Sequence, residues 1–249
     1  MMRRLLTIVL VLAAAAAAVA VAGVTLPRRS QSTRTYTEVL RRVVVRVGSG
    51  RVNVVADRVL GAQVVGVKHY SVRKPTLTTR VSRGVLYATA ACPKPTIVTC
   101  RVDLRLGVAP EVAVDVATGS GNVRVENVAA NVKVHSAAGA VDVVGLTGTG
   151  DLSTAAGPIT GRDLAVTRLR ASSAAGAVSL AFAVAPDRVT ASTGAGNVDL
   201  ALPDDSYRVT TRAPAGRARV LVPIDAESSR TVDVRTDAGR ITVRPAPPM

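Results

Sequence analysis

The chain has 249 residues, a net charge of +15, one Phe, four Tyr and no Trp. So basic a chain invites a nucleic-acid partner, yet it has no aromatic platform among its arginines on which bases could stack, and none is expected. With two cysteines and two histidines it cannot assemble a four-ligand site at finger spacing, so neither a metal nor a cofactor is expected.

Residues 1–4 form a basic N-terminus, and Leu5 to Leu26 then runs without a charge up to Pro27-Arg28-Arg29. As a helix, these 22 residues span about 33 Å, enough for a bilayer core of roughly 30 Å. The segment 5–26 reads as a transmembrane anchor. The other reading is a cleaved secretory signal, since Ala18-Val19-Ala20 and Ala20-Val21-Ala22 offer small residues at the right spacing. Both readings export the remainder, either as a single-pass cell-membrane protein with its folded part outside the cytoplasm or as a secreted one. Arginines flank both ends, so the positive-inside rule does not set orientation.

Residues 27–35, with polar Ser30 to Thr35, read as a linker. From 36 to 106 apolar residues alternate, as in Val43, Val45, Val47 and Val102, Leu104, Leu106, which predicts β-strands. Cys92 and Cys100 close a short loop, and an even pair in an exported chain predicts a disulfide pinning a hairpin or turn.

From 107 to 244 a short phrase recurs: Ser or Thr, two small residues, Gly, any residue, then two apolar residues flanking a polar one. Its glycines are Gly121, Gly139, Gly157, Gly176, Gly196, Gly216 and Gly239, spaced by 18 to 23 residues. Two residues past each Gly the chain is apolar (Val123, Val141, Ile159) and three past it polar (Arg124, Asp142, Thr160), so each copy carries a strand with one face buried. A second apolar pair before the next Ser/Thr supplies another strand, and Gly supplies the tight turn. Stacked periods of this kind predict an all-β, single-stranded β-solenoid of seven to eight coils. Val47-Gly48-Ser49-Gly50-Arg51-Val52-Asn53-Val54 resembles a further copy, although Gly50 and Gly121 are 71 residues apart. The N-terminal part is expected to be irregular and to cap the stack, and residues 245–249 to form a disordered tail.

Charge is unevenly placed. Residues 28–105 hold sixteen Lys/Arg against three acids, whereas residues 106–249 balance at fourteen of each. A basic half held near a bilayer attracts anionic lipid headgroups or envelope polymers. Arg41, Arg42, Arg46 and Arg51 are the candidates for that contact surface.

No catalytic residue emerges. Asp142 and Asp199 sit three coils apart, about 14 Å at the usual strand spacing, beyond the roughly 5 to 9.5 Å of paired glycosidase carboxylates. Arg124 beside Asp142, and Asp199 beside Arg219, read instead as ion pairs between coils. His135 and Ser136 are adjacent on a strand and so face opposite ways.

The phrases Ser136-Ala137-Ala138-Gly139-Ala140-Val141-Asp142-Val143-Val144-Gly145-Leu146 and Thr193-Gly194-Ala195-Gly196-Asn197-Val198-Asp199-Leu200 resemble the bacterial putative-adhesin family, a domain of unknown function on membrane-anchored envelope proteins. The likeness covers about 107 to 244 well and 36 to 106 loosely. It implies a β-solenoid similar to surface adhesin heads, often behind one N-terminal membrane helix, and brings no catalytic or binding residues with it. The first expectation is therefore a non-enzymatic, outward-facing adhesive or structural envelope module. An accessory or sensor of an envelope-stress system, bound to a membrane protein partner, is the alternative, and a carbohydrate-active enzyme the weaker one.

Overall fold

The computed structural model describes residues 27–57, 61–94 and 100–247. The apolar segment 5–26, with its anchor or signal reading, lies outside the described residues, and among those described there is no helix. The first seven strands are β1 (Arg28–Tyr36), β2 (Arg42–Ser49), β3 (Val52–Ala56), β4 (Ala62–Tyr70), β5 (Thr76–Ser82), β6 (Val85–Ala91) and β7 (Cys100–Val108). Five pairs follow: β8 (Ala113–Ser120) and β9 (Val123–Glu126), β10 (Val132–Ala138) and β11 (Val141–Val144), β12 (Thr149–Ala156) and β13 (Ile159–Leu164), β14 (Arg168–Ala175) and β15 (Val178–Phe182), β16 (Arg188–Ala195) and β17 (Val198–Leu202). β18 (Arg208–Arg212), β19 (Ala215–Val220) and the long β20 (Thr231–Pro245) complete the chain.

Each pair is one coil. First strands stack in parallel as one wall, β8-β10-β12-β14-β16, and second strands as the other, β9-β11-β13-β15-β17. Because side chains alternate across a strand, every second residue of each wall points inward and meets its counterpart from the other wall. Val114, Val116, Val141, Val143, Leu152, Ile159, Leu180 and Val198 fill this interior and are almost wholly shielded from water. Burying one such side chain stabilises the fold by roughly 1.5 to 3 kcal/mol.

The repeated phrase is explained by the bend between the two walls. Gly139 has φ +144°, a conformation that side chains rarely adopt, and a Cβ there would overlap the carbonyl oxygen of Gly121 in the neighbouring coil. Its N–H donates to Ala156 of the next coil at 2.8 Å, so the bends themselves form a ladder. In four coils the buried Ser/Thr three residues before the glycine donates back to the preceding bend: Thr154 to Gly139 O, Ser173 to Gly157 O, Thr193 to Gly176 O and Thr236 to Gly196 O, at 2.8 to 3.2 Å. The opposite turn uses a left-handed residue at Asn127, Gly145 and Asp163, types that tolerate this conformation best.

At both ends the order of coils departs from the order of the chain. β2 and β3 stack directly on β8 and β9, so the Gly50 bend adjoins that of Gly121 although the two are 71 residues apart in the chain. β6 and β7 stack on the far side of β2 and β3 as a further coil. The disulfide Cys92–Cys100, with Cα atoms 6.0 Å apart, joins the end of β6 to the start of β7 at the bend of that outermost coil. β4 adds antiparallel to β7, β1 antiparallel to β4, and β5 antiparallel to β6. The region 36–106 is thus part of the stack, with a two-strand and a one-strand elaboration at its end.

Residues 27–35 are not a linker, since β1 occupies Arg28–Tyr36 in register with β4. An edge strand with both faces partly wet needs no apolar alternation, which is why hydropathy does not reveal it. Arg34 Nη1 (2.8 Å) and Tyr36 OH (2.5 Å) both reach Thr79 Oγ1 on β5, tying one wall to the other across the open end.

At the C-terminal end β20 bends at Gly239 and supplies both legs of a coil, on β16 and on β17, while β18 and β19 stack outside it. Spatial order is therefore β16–β17, β20, β18–β19. Asp199 consequently faces Thr242 rather than Arg219, and its ion pair is with Arg244, at 3.2 Å. The expected tail is held through Ala246, whose N–H donates to Leu202 O at 2.6 Å; residues 248 and 249 lie outside the described part. The seven repeat copies, the Gly50 phrase and β6–β7 together make nine coils among the described residues, against seven to eight expected.

Candidate functional site

The outward face of the second wall carries a recess of about 980 Å³ across β1, β4, β7, β3, β9, β11 and β13. Strand register explains its composition. Asn53 stands between Arg105 and Arg124 on the two flanking strands, and Asp142 follows Arg124 on the next. Val65 and Val67 of β4 form an apolar stretch of floor, with Gln31 and Gln63 beside it. Five guanidiniums, those of Arg29, Arg51, Arg105, Arg124 and Arg162, line the recess against the carboxylates of Asp103 and Asp142.

Those two acids neutralise only part of the charge. Asp103 is approached by His69 at 3.3 Å and by Arg51 and Arg101 at 3.9 Å, and it also accepts the backbone N–H of Arg51 at 2.9 Å. Asp142 is shared between Arg124 and Arg162, the latter at 3.4 Å. Arg124 also pairs with Glu126, and the hydrogen bond to Glu126, reinforced by the charge of Asp142, raises its guanidinium above the ordinary arginine range. The guanidiniums of Arg29 and Arg105 make no ion pair or hydrogen bond among the described residues. Asn53 Oδ1 is buried without a hydrogen-bond donor. On the inner side of β4, burial and the nearby charges of Lys74 and Arg34 lower Lys68, another sign of crowded cations at this end.

The four arginines singled out from the sequence are not gathered on one face. Arg42 and Arg46 stand exposed on β2, in the first wall, where Arg46 pairs with Asp115 at 2.9 Å. Arg41 precedes β2 and its N–H donates to Gly84 O at 2.8 Å. Arg51, just before β3, is the one that lines the recess. Arg29 and Arg105 were not singled out, because the antiparallel return of β4 and β1 onto β7 leaves no trace in spacing; only their place in the basic half could have pointed to them.

Asp142 and Asp199 each sit in an ion pair. Asp142 is held by two arginines and Asp199 by Arg244, three strands away through β13 and β15. His135 is exposed with Nδ1 3.0 Å from Ser153 Oγ on the neighbouring strand, while Ser136 is fully buried, so the two adjacent side chains do face opposite ways. Among the described residues no group of three or more His, Cys, Asp or Glu is placed to hold a metal.

Among solved structures, an adhesin-named protein from Parabacteroides distasonis ATCC 8503 is similar at 10% identity and a TM-score of 0.49, covering 86% of this chain and 97% of that one. A lipid-binding-named protein from the same strain gives 15% and 0.48 over 86% and 96%, and an adhesin-named protein from Bacteroides fragilis NCTC 9343 gives 13% and 0.42 over 86% and 97%. No curated protein sequence matches the chain. The family model described as Toastrack DUF4097 matches residues 109–244, which run from the turn before β8 to the end of β20, and the chain belongs to that family.

Proposed function

We propose that the protein is a non-enzymatic envelope module, a rigid β-stack held at the membrane by residues 5–26 and facing outward, whose basic end makes contact with anionic envelope material. One observation carries this reading. Among the described residues of 28–105, fifteen Lys/Arg stand against three acids, and this excess collects at the end of the stack where β1 takes over from the apolar N-terminal segment, whereas the remaining coils are neutral overall. A positive field confined to the membrane-side end acts on anionic partners within a Debye length of about 8 to 10 Å, at roughly 1 kcal/mol per near-surface charge.

The test is cosedimentation of the full chain, in nanodiscs of zwitterionic lipid, with isolated cell walls and separately with anionic vesicles. Binding should be present at low salt and weaken at least about tenfold at high salt. Charge reversal of Arg41, Arg42, Arg46 and Arg51 together should weaken it further. Absence of binding to both materials at low salt would sink the contact role and turn attention to a protein partner.

A further inference from the structure

The recess on the second wall has features that a diffuse basic surface lacks. Its seven strands span about 29 Å at the usual strand spacing. Arg29 and Arg105, the guanidiniums without partners, stand two strands and four register positions apart, about 16 Å at the backbone. Arg29 on β1 and Arg162 on β13 stand six strands apart, too far for one small anion to engage both. The amides of Gln31, Asn53, Gln63 and Asn122 line the same recess and supply polar groups for neutral partners. The lining holds no aromatic side chain, which removes base stacking as a source of affinity. A flat bilayer would meet only the rim of such a recess.

We propose that this recess is a binding groove for a linear anionic glycan-type polymer, lying across the strands, with its charged groups on Arg29, Arg51, Arg105 and Arg124 and its hydroxyls on the amides that line it. Guanidiniums suit the task because each presents a fork of donors to a carboxylate or phosphodiester. Asp103 and Asp142 hold Arg51 and Arg124 in place while leaving the groove with three uncompensated positive charges. The assignment deepens the envelope-contact reading and rests on it for bringing such a polymer within reach.

The experiment measures fluorescence anisotropy of labelled polygalacturonate, polyphosphate and neutral dextran with the full chain in zwitterionic nanodiscs. Polygalacturonate should bind, dextran should not, and polyphosphate, which has charge without hydroxyls, should bind more weakly per charge. Arg29→Glu with Arg105→Glu should weaken polygalacturonate binding at least about tenfold. Arg168→Glu with Arg188→Glu makes the same change of net charge on exposed positions of the opposite wall and should alter binding less than about threefold. Equal losses in both pairs would show that binding follows net charge and overturn the groove. Tight, groove-dependent binding of polyphosphate at or above that of polygalacturonate would overturn the glycan-type assignment. If cell-wall cosedimentation survives the groove substitutions unchanged, the groove proposal fails while the envelope-contact reading stands; if wild-type chain binds no wall, the latter fails on its own.

Discussion

Thr193 and Thr118 occupy the same place in their coils, and their hydroxyls meet different fates. Thr193 donates to Gly176 O at 2.8 Å, whereas Thr118 Oγ1 is buried without a partner. Thr193→Val removes a buried hydrogen bond and strands a carbonyl, so it should cost about 1 to 2 kcal/mol in urea unfolding. Thr118→Val removes only an unmet hydroxyl and should be neutral or slightly stabilising; Val47 already stands at this register in the adjoining coil. Tyr207 offers a test by pH. It is fully buried, donates to Pro203 O at 3.0 Å, and burial together with the charge of Asp205 pushes its phenol up to about 12. Because the folded pKa lies above the unfolded value of about 10, its contribution is complete below pH ~10 and is lost as pH rises through 12. Urea midpoints across that window should fall more steeply for the wild type than for Tyr207→Phe, with phenolate absorbance tracking the loss.

At the scale of the strand and its turn, the glycines divide by what surrounds them. Gly139→Ala meets both a disfavoured φ and the Gly121 carbonyl, in a ladder of bends that cannot shift singly, and should cost about 3 kcal/mol or more. Gly107→Ala finds nothing within 4 Å of the new Cβ on an ordinary strand backbone, and should be neutral or stabilising by up to about 1 kcal/mol. Thermal melts of the two variants separate the bend ladder from glycine content as such. The bends were legible from the sequence because the stacking that forbids a side chain recurs every coil. The second role of the phrase, a hydroxyl tying one bend to the next, was not, since it depends on which carbonyl lies across the coil boundary.

For the whole molecule, the insertion of β20 inside β18–β19 makes the C-terminal end interdependent. Ending the chain after Arg230 would remove an inner coil, so residues 206–220 should lose their partners and exchange their amide hydrogens rapidly. In a stack built in chain order the same truncation would leave them protected. The outermost coil exposes Arg208, Arg212, Arg217 and Arg219, and this density of charge on an open edge opposes end-to-end pairing of chains.

The sequence by itself determined the coil: the period, the inward Val and Ile and the bend glycines follow from local rules that each repeat must obey, and the Cys92–Cys100 bond from an even pair of cysteines in a chain read as exported. The separation of a basic half from a neutral one was equally plain. Only the tertiary structure decided the order of coils at the two ends, the strand made by Arg28–Tyr36, and hence the groove that brings Arg29, Arg51, Arg105 and Arg124 to one face. The physical reason is that alternation specifies which side of a strand is buried but not which strand lies beside it. Parallel stacking of near-identical coils leaves several neighbours almost equally good, and the choice among them falls to contacts between residues far apart in the chain.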